Sequence, residues 1–367
     1  MAKFLLFRPE DLNDYMVRFF VKLNVPKADA ETAAEVLLAA DLRGVDSHGI
    51  IRLNTYYGDR LRKGLIDPLS PVTVLNETPV SLALSGGNGM GQVVGKLAMT
   101  RCIEKARQIG MAMVTVRNSN HYGIAGYYAM MALEQDLIGI SFTNSQPLVA
   151  PTYGRKALIG TNPIAVAVPA GSERPYVLDM ATSIVPIGRI TVYDKAAKPI
   201  PAGWGIDKDG TVTTNPSEVL KGGALMPLGG IDLMRGYKGY GLGLLVDIFS
   251  GVLSGSAFAG DVGHPSSEGK FANVGHFFGA IRIDAFRPLA EFKRDMDGII
   301  QQLKESPKAV GQDRIYIHGE KEFERAEHNR KAGVPLLEPV VKSLQEAGKQ
   351  VGVEFDLAVV GYKDEEE

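Results

Sequence analysis

The run Ser47-His48-Gly49-Ile50-Ile51-Arg52-Leu53-Asn54-Thr55-Tyr56 holds the residue types that chemistry on a small acid requires. Ser47 is a good N-cap, and the spacing predicts a helix reaching about residue 63, where Gly64 can end it. Positions four apart share a helix face, so His48, Arg52 and Tyr56 form one polar stripe. The stripe offers a group titrating near neutrality, a planar cation matched to a carboxylate, and a phenol. Together these can hold an organic acid and move one proton. By itself the stripe also reads as a solvated helix face with an incidental histidine, so the rest of the chain has to decide.

Two further segments carry comparable chemistry. Arg117-Asn118-Ser119-Asn120-His121-Tyr122-Gly123 sits between an expected strand and helix, where functional loops gather. His121 there reads equally as a helix-start residue bonded to backbone. Asp179-Met180-Ala181-Thr182-Ser183 closes a strand with a carboxylate and two hydroxyls, which can turn the chain or orient an imidazole. Thr143-Asn144-Ser145 ends another strand, and Gly160-Thr161-Asn162-Pro163 precedes a third. Lys238, at a glycine-flanked helix start, suits a phosphate or a solvated turn.

The elements that must position these groups follow from periodicity. Helices are expected over residues 9–23 and 28–43, strands over 73–75 and 80–84, and a helix from about 91 to 108. A strand (111–116), a helix (124–135) and a strand (137–142) come next, then an apparent hairpin of strands 164–168 and 175–179. Gly89, Gly91 and Gly95, placed between strand and helix, suggest a doubly wound nucleotide-binding fold. Against this, no acidic residue closes the second strand, and a hairpin breaks a parallel sheet. Residues 195–216 read as a surface excursion, and 239–260 as a buried helix packed through small residues. Later expectations are a loop (260–272), strands 276–286 and 314–318, and helices at 288–304, 322–331 and 336–349.

Composition narrows the function classes. The 367 residues are long enough for two domains, and a net charge of −2 supplies no basic field for nucleic acid or an anionic membrane. A single Cys102 rules out an intramolecular disulfide and a multi-cysteine metal site, and His264 and His276 lack zinc-ligand spacing, so no metal is expected. The apolar run at residues 4–7 is too short for a signal peptide, and residues 363–367 read as a frayed tail. The expectation is a soluble, cytoplasmic protein with no membrane span.

Taken together, Asp41-Leu42-Arg43-Gly44-Val45-Asp46-Ser47-His48-Gly49, the 118–123 and 160–163 segments, Asp179 to Ser183, Tyr237-Lys238-Gly239-Tyr240-Gly241 and His318-Gly319-Glu320 resemble the malate/L-lactate dehydrogenase family. These are NAD(P)-dependent enzymes distinct from the Rossmann-type lactate and malate dehydrogenases, and the likeness is strongest to the archaeal malate dehydrogenase type. The resemblance implies an α/β fold: a mixed sheet with non-Rossmann nicotinamide-binding topology, plus a helical domain built by both chain ends. In domain terms, 1–75 with 288–367 would bind substrate and dimerise, and 76–287 would bind cofactor. It makes the glycine turn structural and implies a homodimer. By motif, His48, His121 and Asp179 would be catalytic. Ser145, Asn162, Pro163, Asp179, Met180, Ala181, Thr182, Ser183, Lys238, Gly239, His318, Gly319, Glu320 and His121 would contact the cofactor.

For interconversion of a 2-hydroxy acid and its 2-oxo acid, Arg52 would fork the carboxylate, with Ser47 and Tyr56 assisting. His48 would move the hydroxyl proton, Asp179 would orient an imidazole, and His121 would polarise the carbonyl or share the proton. His48 is favoured as primary because Arg52 lies one turn away, but the sequence does not decide between the histidines. NAD is expected, and NADP stays open: Arg189, Lys195 and Lys198 suit a 2′-phosphate, whereas Asp194 repels one. Malate or lactate is the leading substrate. Sulfolactate, ureidoglycolate or a cyclic-imine carboxylate is the alternative, and a non-catalytic acid sensor is the rival of another class.

Overall fold

The computed structural model describes residues 3–263 and 270–364, so His264, part of the 260–272 loop and the last three tail residues lie outside the described residues. In chain order the elements are β1 (Lys3–Phe7), α1 (Pro9–Lys22), α2 (Lys27–Leu42), α3 (Asp59–Arg62), β2 (Thr73–Glu77), β3 (Ser81–Ser85), α4 (Gly91–Ile109), β4 (Met111–Ser119), α5 (Ala125–Met131) and β5 (Leu137–Thr143). There follow β6 (Ile164–Val168), β7 (Tyr176–Met180), α6 (Ile187–Lys195), β8 (Gly205–Ile206), β9 (Val212–Thr213), α7 (Pro216–Leu220), β10 (Ala224–Leu225) and α8 (Tyr237–Asp247). The chain closes with β11 (Val274–Arg282), α9 (Leu289–Glu305), α10 (Glu320–Ala332), β12 (Val334–Leu337), α11 (Glu338–Val351) and β13 (Val359–Asp364).

The main sheet has the order β2-β3-β4-β11-β5-β6-β7, and only β3 and β4 are parallel. That overturns the doubly wound alternative, which needs parallel neighbours. Here β11 inserts antiparallel between β4 and β5. It can do so because Val274 to Ala280 is buried throughout, as befits a strand covered on both faces. The strand stops at Arg282, earlier than the expected 286, where Ile283–Ala285 turns as a 3₁₀ segment.

The glycines after β3 serve packing. A Cβ on Gly91 would overlap the carbonyls of Asn120 and His121, and one on Gly95 would stand 2.9 Å from the Tyr128 ring. The Asn120 amide also ties this turn down by donating to the Asn88 and Gly89 carbonyls at 3.0 and 2.9 Å. The turn therefore lets the His121 loop approach α4 closely.

Both chain ends build a second layer around a three-stranded sheet of order β12-β1-β13. The apolar start is its central strand, and Lys363 and Asp364, expected in a frayed tail, pair with it in β13. Phe19, Phe20, Leu37, Leu53, Tyr57 and Leu344 share its core. Each such side chain contributes about 1.5–3 kcal/mol on full burial, enough to fix the 53–58 segment against α1 and α11.

β2 crosses the 75/76 boundary to join the main sheet. α9 lies against the β6–β7 turn, where Asp297 accepts the N–H groups of Gly171, Ser172 and Glu173.

Three further expectations change. Residues 195–216 are no bare excursion: Ile200 is buried with Val149, Ile159, Ile190, Val219 and Leu225 in a small core, and Trp204 packs against it. Residues 314–318 form no strand. In α8 and the π-helical turn after it, small residues face inward as expected (Gly239, Gly243, Ser250, Gly251), but Leu242, Leu245, Ile248 and Val252 face outward. Among the described residues no helix is long and apolar enough to cross a membrane.

Candidate active site

The expected helix from Ser47 does not form as one piece. Asp46–His48 is a 3₁₀ turn, the chain bends at Gly49, and Leu53–Gly58 is a π-helix running into α3. Asp41 is the cause. Its buried carboxylate accepts the Ile50 N–H at 2.7 Å and occupies the space a Cβ on Gly49 would need. Ser47 therefore caps no α-helix; its hydroxyl meets His48 Nδ1 at 2.8 Å. Arg52 Nε donates to the Ser47 carbonyl at 2.7 Å, which folds the turn back on itself. Among the described residues no carboxylate pairs with the Arg52 guanidinium. The π-helix widens the turn, and such turns recur at functional sites. Here it brings two consecutive tyrosines, Tyr56 and Tyr57, against His121, with ring centroids 5.3 and 5.9 Å away.

His121 comes from the loop after β4. The Gly123 N–H donates to its Nδ1 at 3.2 Å, and the Tyr57 hydroxyl lies 2.6 Å from the same nitrogen. A backbone N–H can only donate, so Nδ1 accepts and the neutral ring carries its proton on Nε2. His48 stacks on this ring at 5.4 Å and 27°. Burial, then the Arg52 charge, pulls His48 down to about 4. Burial, then His48, Arg52 and His276, holds His121 well below the usual imidazole range. Both rings are neutral at neutral pH. Tyr57 was missed by the spacing because it lies one residue off the stripe, and only the π turn brings it round.

A small lobe of about 160 Å³ is lined by Ser47, His48, Arg52, Tyr56, His121 and Ser145, among others. It shares Ser47, His48, Gly123, Thr161, Pro163 and Pro186 with a larger groove of about 490 Å³. The groove runs past Asp179, Met180 and Ala181 to His318 and Gly319. These meet because the Val177 N–H in β7 donates to the His318 carbonyl at 3.0 Å.

Asp179 does not orient an imidazole, as had been expected. One oxygen accepts the Gly126 N–H at 2.7 Å, and the carboxyl faces the groove, raised to about 6 chiefly by the protein crowded round it.

Other expected cofactor residues support the groove without lining it. The Asn162 side chain accepts the Ser145 N–H at 3.1 Å and donates to the Gly243 carbonyl at 2.9 Å. Thr182 donates to the Thr161 and Asn162 carbonyls, and Ser183 to Val185. Glu320 turns away, pairing with Lys304 at 2.5 Å and Arg314 at 3.2 Å while accepting the Ile317 N–H. Gly239 packs on the Leu228 backbone, and Lys238 is exposed outside both lobes. Arg189, Asp194, Lys195 and Lys198 line neither lobe; Arg189 stands over the Tyr193 ring and Asp194 accepts the Ser217 hydroxyl. Among the described residues no three metal-ligating side chains gather.

Two neutral imidazoles and an unpaired guanidinium, opening onto a long groove at strand ends outside any Rossmann sheet, define a dehydrogenase of small hydroxy acids. The chain belongs to the malate/L-lactate dehydrogenase family, whose model matches residues 7–345. It is 49% identical to a malate dehydrogenase of Pyrococcus horikoshii over 94% of this chain and 96% of that one. It is 36% identical to an L-sulfolactate dehydrogenase of Methanocaldococcus jannaschii, over 96% and 99% of the two chains. The solved malate dehydrogenase of Entamoeba histolytica superposes with a TM-score of 0.91 at 37% identity, covering 96% and 99%.

The family implies a nicotinamide cofactor, and the groove's donor set fits one. Its walls are largely apolar (Val45, Ile124, Pro163, Met180, Ile317), which suits a flat heterocycle. Asp179 has a second oxygen without a hydrogen bond among the described residues, which suits a ribose hydroxyl or an amide.

Proposed function

We propose that the chain interconverts malate and oxaloacetate, or lactate and pyruvate, with NAD as cofactor and NADP as the alternative. The carrying observation is the Arg52 guanidinium, paired with no carboxylate among the described residues and placed beside the stacked His48 and His121 rings in the small lobe. Its free nitrogens would fork the substrate carboxylate, with Ser47 and Tyr56 on the same wall. That leaves the substrate's C2 oxygen to the imidazoles. His121, held with Nε2–H outward by Tyr57 and Gly123, would hydrogen-bond that oxygen. His48, neutral and joined to the Ser47 hydroxyl, would accept the hydroxyl proton in oxidation and return it in reduction. The nicotinamide, bound in the groove by Pro163, Asp179, Met180, Ala181, His318 and Gly319, would supply or receive the hydride.

The outward leucine face of α8 supports a homodimer, since an apolar strip of this kind on a soluble enzyme commonly marks an interface. A single buried cysteine is consistent with a reducing, cytoplasmic setting. The test is a panel of 2-oxo acids and pyrroline- and piperideine-carboxylates with NADH and NADPH, followed at the absorbance of the reduced cofactor. Turnover with oxaloacetate or pyruvate supports the proposal; activity confined to the cyclic imines, or none at all, overturns it. Sedimentation at assay concentrations checks the dimer.

A further inference from the structure

Among the described residues, four carboxylate, Lys or Arg side chains are almost fully buried: Asp41, Arg60, Asp247 and Glu320. The three acids have N–H donors or cations facing them. Arg60, 2% exposed, does not have the equivalent. Its Nη2 donates to the Lys270 carbonyl at 3.1 Å, while Nε and Nη1 have no partner. Its guanidinium carbon stands 5.4 Å from the centroid of the Tyr56 ring, which lines the small lobe. In sequence it continues the stripe: His48, Arg52, Tyr56 and Arg60 are each four apart.

We propose that Arg60 is a specificity-determining residue: its buried guanidinium, behind Tyr56 and with no carboxylate partner among the described residues, gives the lobe a second fixed positive charge that selects dianionic over monoanionic acids. A buried charge left without a counterion is costly, and an aromatic face and one carbonyl offset only part of that cost. An anion arriving in the lobe completes the compensation. Arg52 neutralises the first carboxylate, and the field of Arg60 then acts on the second. Because the cation is desolvated, added salt screens it little. The inference rests on the 2-oxo acid reading above and narrows it to four-carbon dicarboxylates such as oxaloacetate.

The experiment compares kcat/KM for oxaloacetate and pyruvate in the wild type, Arg60→Met and Arg60→Lys. Arg60→Met is expected to lower the oxaloacetate value by roughly tenfold or more, as loss of one unscreened charge across a ring's thickness implies. Pyruvate should change by less than about threefold, and Arg60→Lys should restore part of the ratio. Equal losses on both substrates would show a merely structural residue and overturn the inference. If Arg60→Met does not fold, wild-type inhibition by malonate and by its monomethyl ester decides. Clearly tighter malonate binding, retained at high salt, supports the assignment, and comparable constants overturn it. Failure of the underlying reading looks different: the wild type then reduces neither substrate.

Discussion

Gly49→Ala should damage the protein out of proportion to one methyl group. The added Cβ falls where the Asp41 carboxylate sits, so the carboxylate must leave and release the Ile50 N–H. Losing that hydrogen bond in a buried site costs about 1–3 kcal/mol. Overpacking of a tight site adds roughly 1–3 kcal/mol, which puts the total near 3–5 kcal/mol. Because the turn carries His48 and Arg52, displacing it by an ångström should also lower kcat/KM on the order of 10²-fold. The double variant Asp41→Ala/Gly49→Ala separates clash from hydrogen bond. With the carboxylate gone the methyl has room, so the pair should be less destabilised than the sum of the singles by at least about 1 kcal/mol. Urea unfolding gives the energies, and oxidation of NADH by oxaloacetate gives the rates. Strict additivity, or a Gly49→Ala protein with normal stability and turnover, would refute the idea that Asp41 shapes this turn.

His48→Ala and His121→Ala should each lower kcat by roughly 10²–10⁴-fold; near-normal turnover in both ends the acid–base assignment. Arg52→Lys should act mainly on the Michaelis constant, because an ammonium cannot reproduce the fork, and an unchanged value counts against it. Tyr57→Phe removes a hydroxyl from His121 Nδ1 and should slow kcat about tenfold, with stability measured alongside to separate packing from chemistry. The imidazoles also set a pH dependence. A histidine that cannot be protonated until pH falls to about 4 still accepts a proton at pH 5–6, so the acid limb of kcat/KM for the hydroxy acid should lie below the ordinary imidazole range. The same depression makes the His48 contribution to stability full above about pH 6.5. It is lost as pH falls towards 4, with a slope of roughly 1.4 kcal/mol per pH unit. The raised carboxyls of Asp41 and Asp179 oppose that slope, so replacing His48 by Gln should flatten the wild-type profile in this window.

Much of the local structure was legible because it follows period. α1, α2 and α4 repeat apolar residues at helical spacing, and the β6–β7 hairpin is bounded by turn residues. β1, β12 and β13 were not legible: each is short, and each is defined by a partner at the far end of the chain. The breadth of β11 hid its central place, since an unbroken apolar run looks alike in a buried helix or strand. At the site, His48, Arg52 and Tyr56 converge as their spacing suggested, but on a bent 3₁₀ and π path that Asp41 imposes from another helix. Asp179 reads as an imidazole partner from residue type alone. β7 instead delivers it to Gly126, and Tyr57 takes the place beside His121.

The three-stranded sheet that joins the first residues to the last has a consequence for biosynthesis. The core holding Leu53 and Tyr57 in place includes Leu336, Val341 and Leu344, and the Tyr15 hydroxyl reaches the Leu344 carbonyl at 2.6 Å. A nascent chain on the ribosome thus has the residues proposed to hold substrate early but lacks the wall they rest on until residues 336–344 emerge. Until that segment joins the core, the first 60 residues lack the packing that seats them.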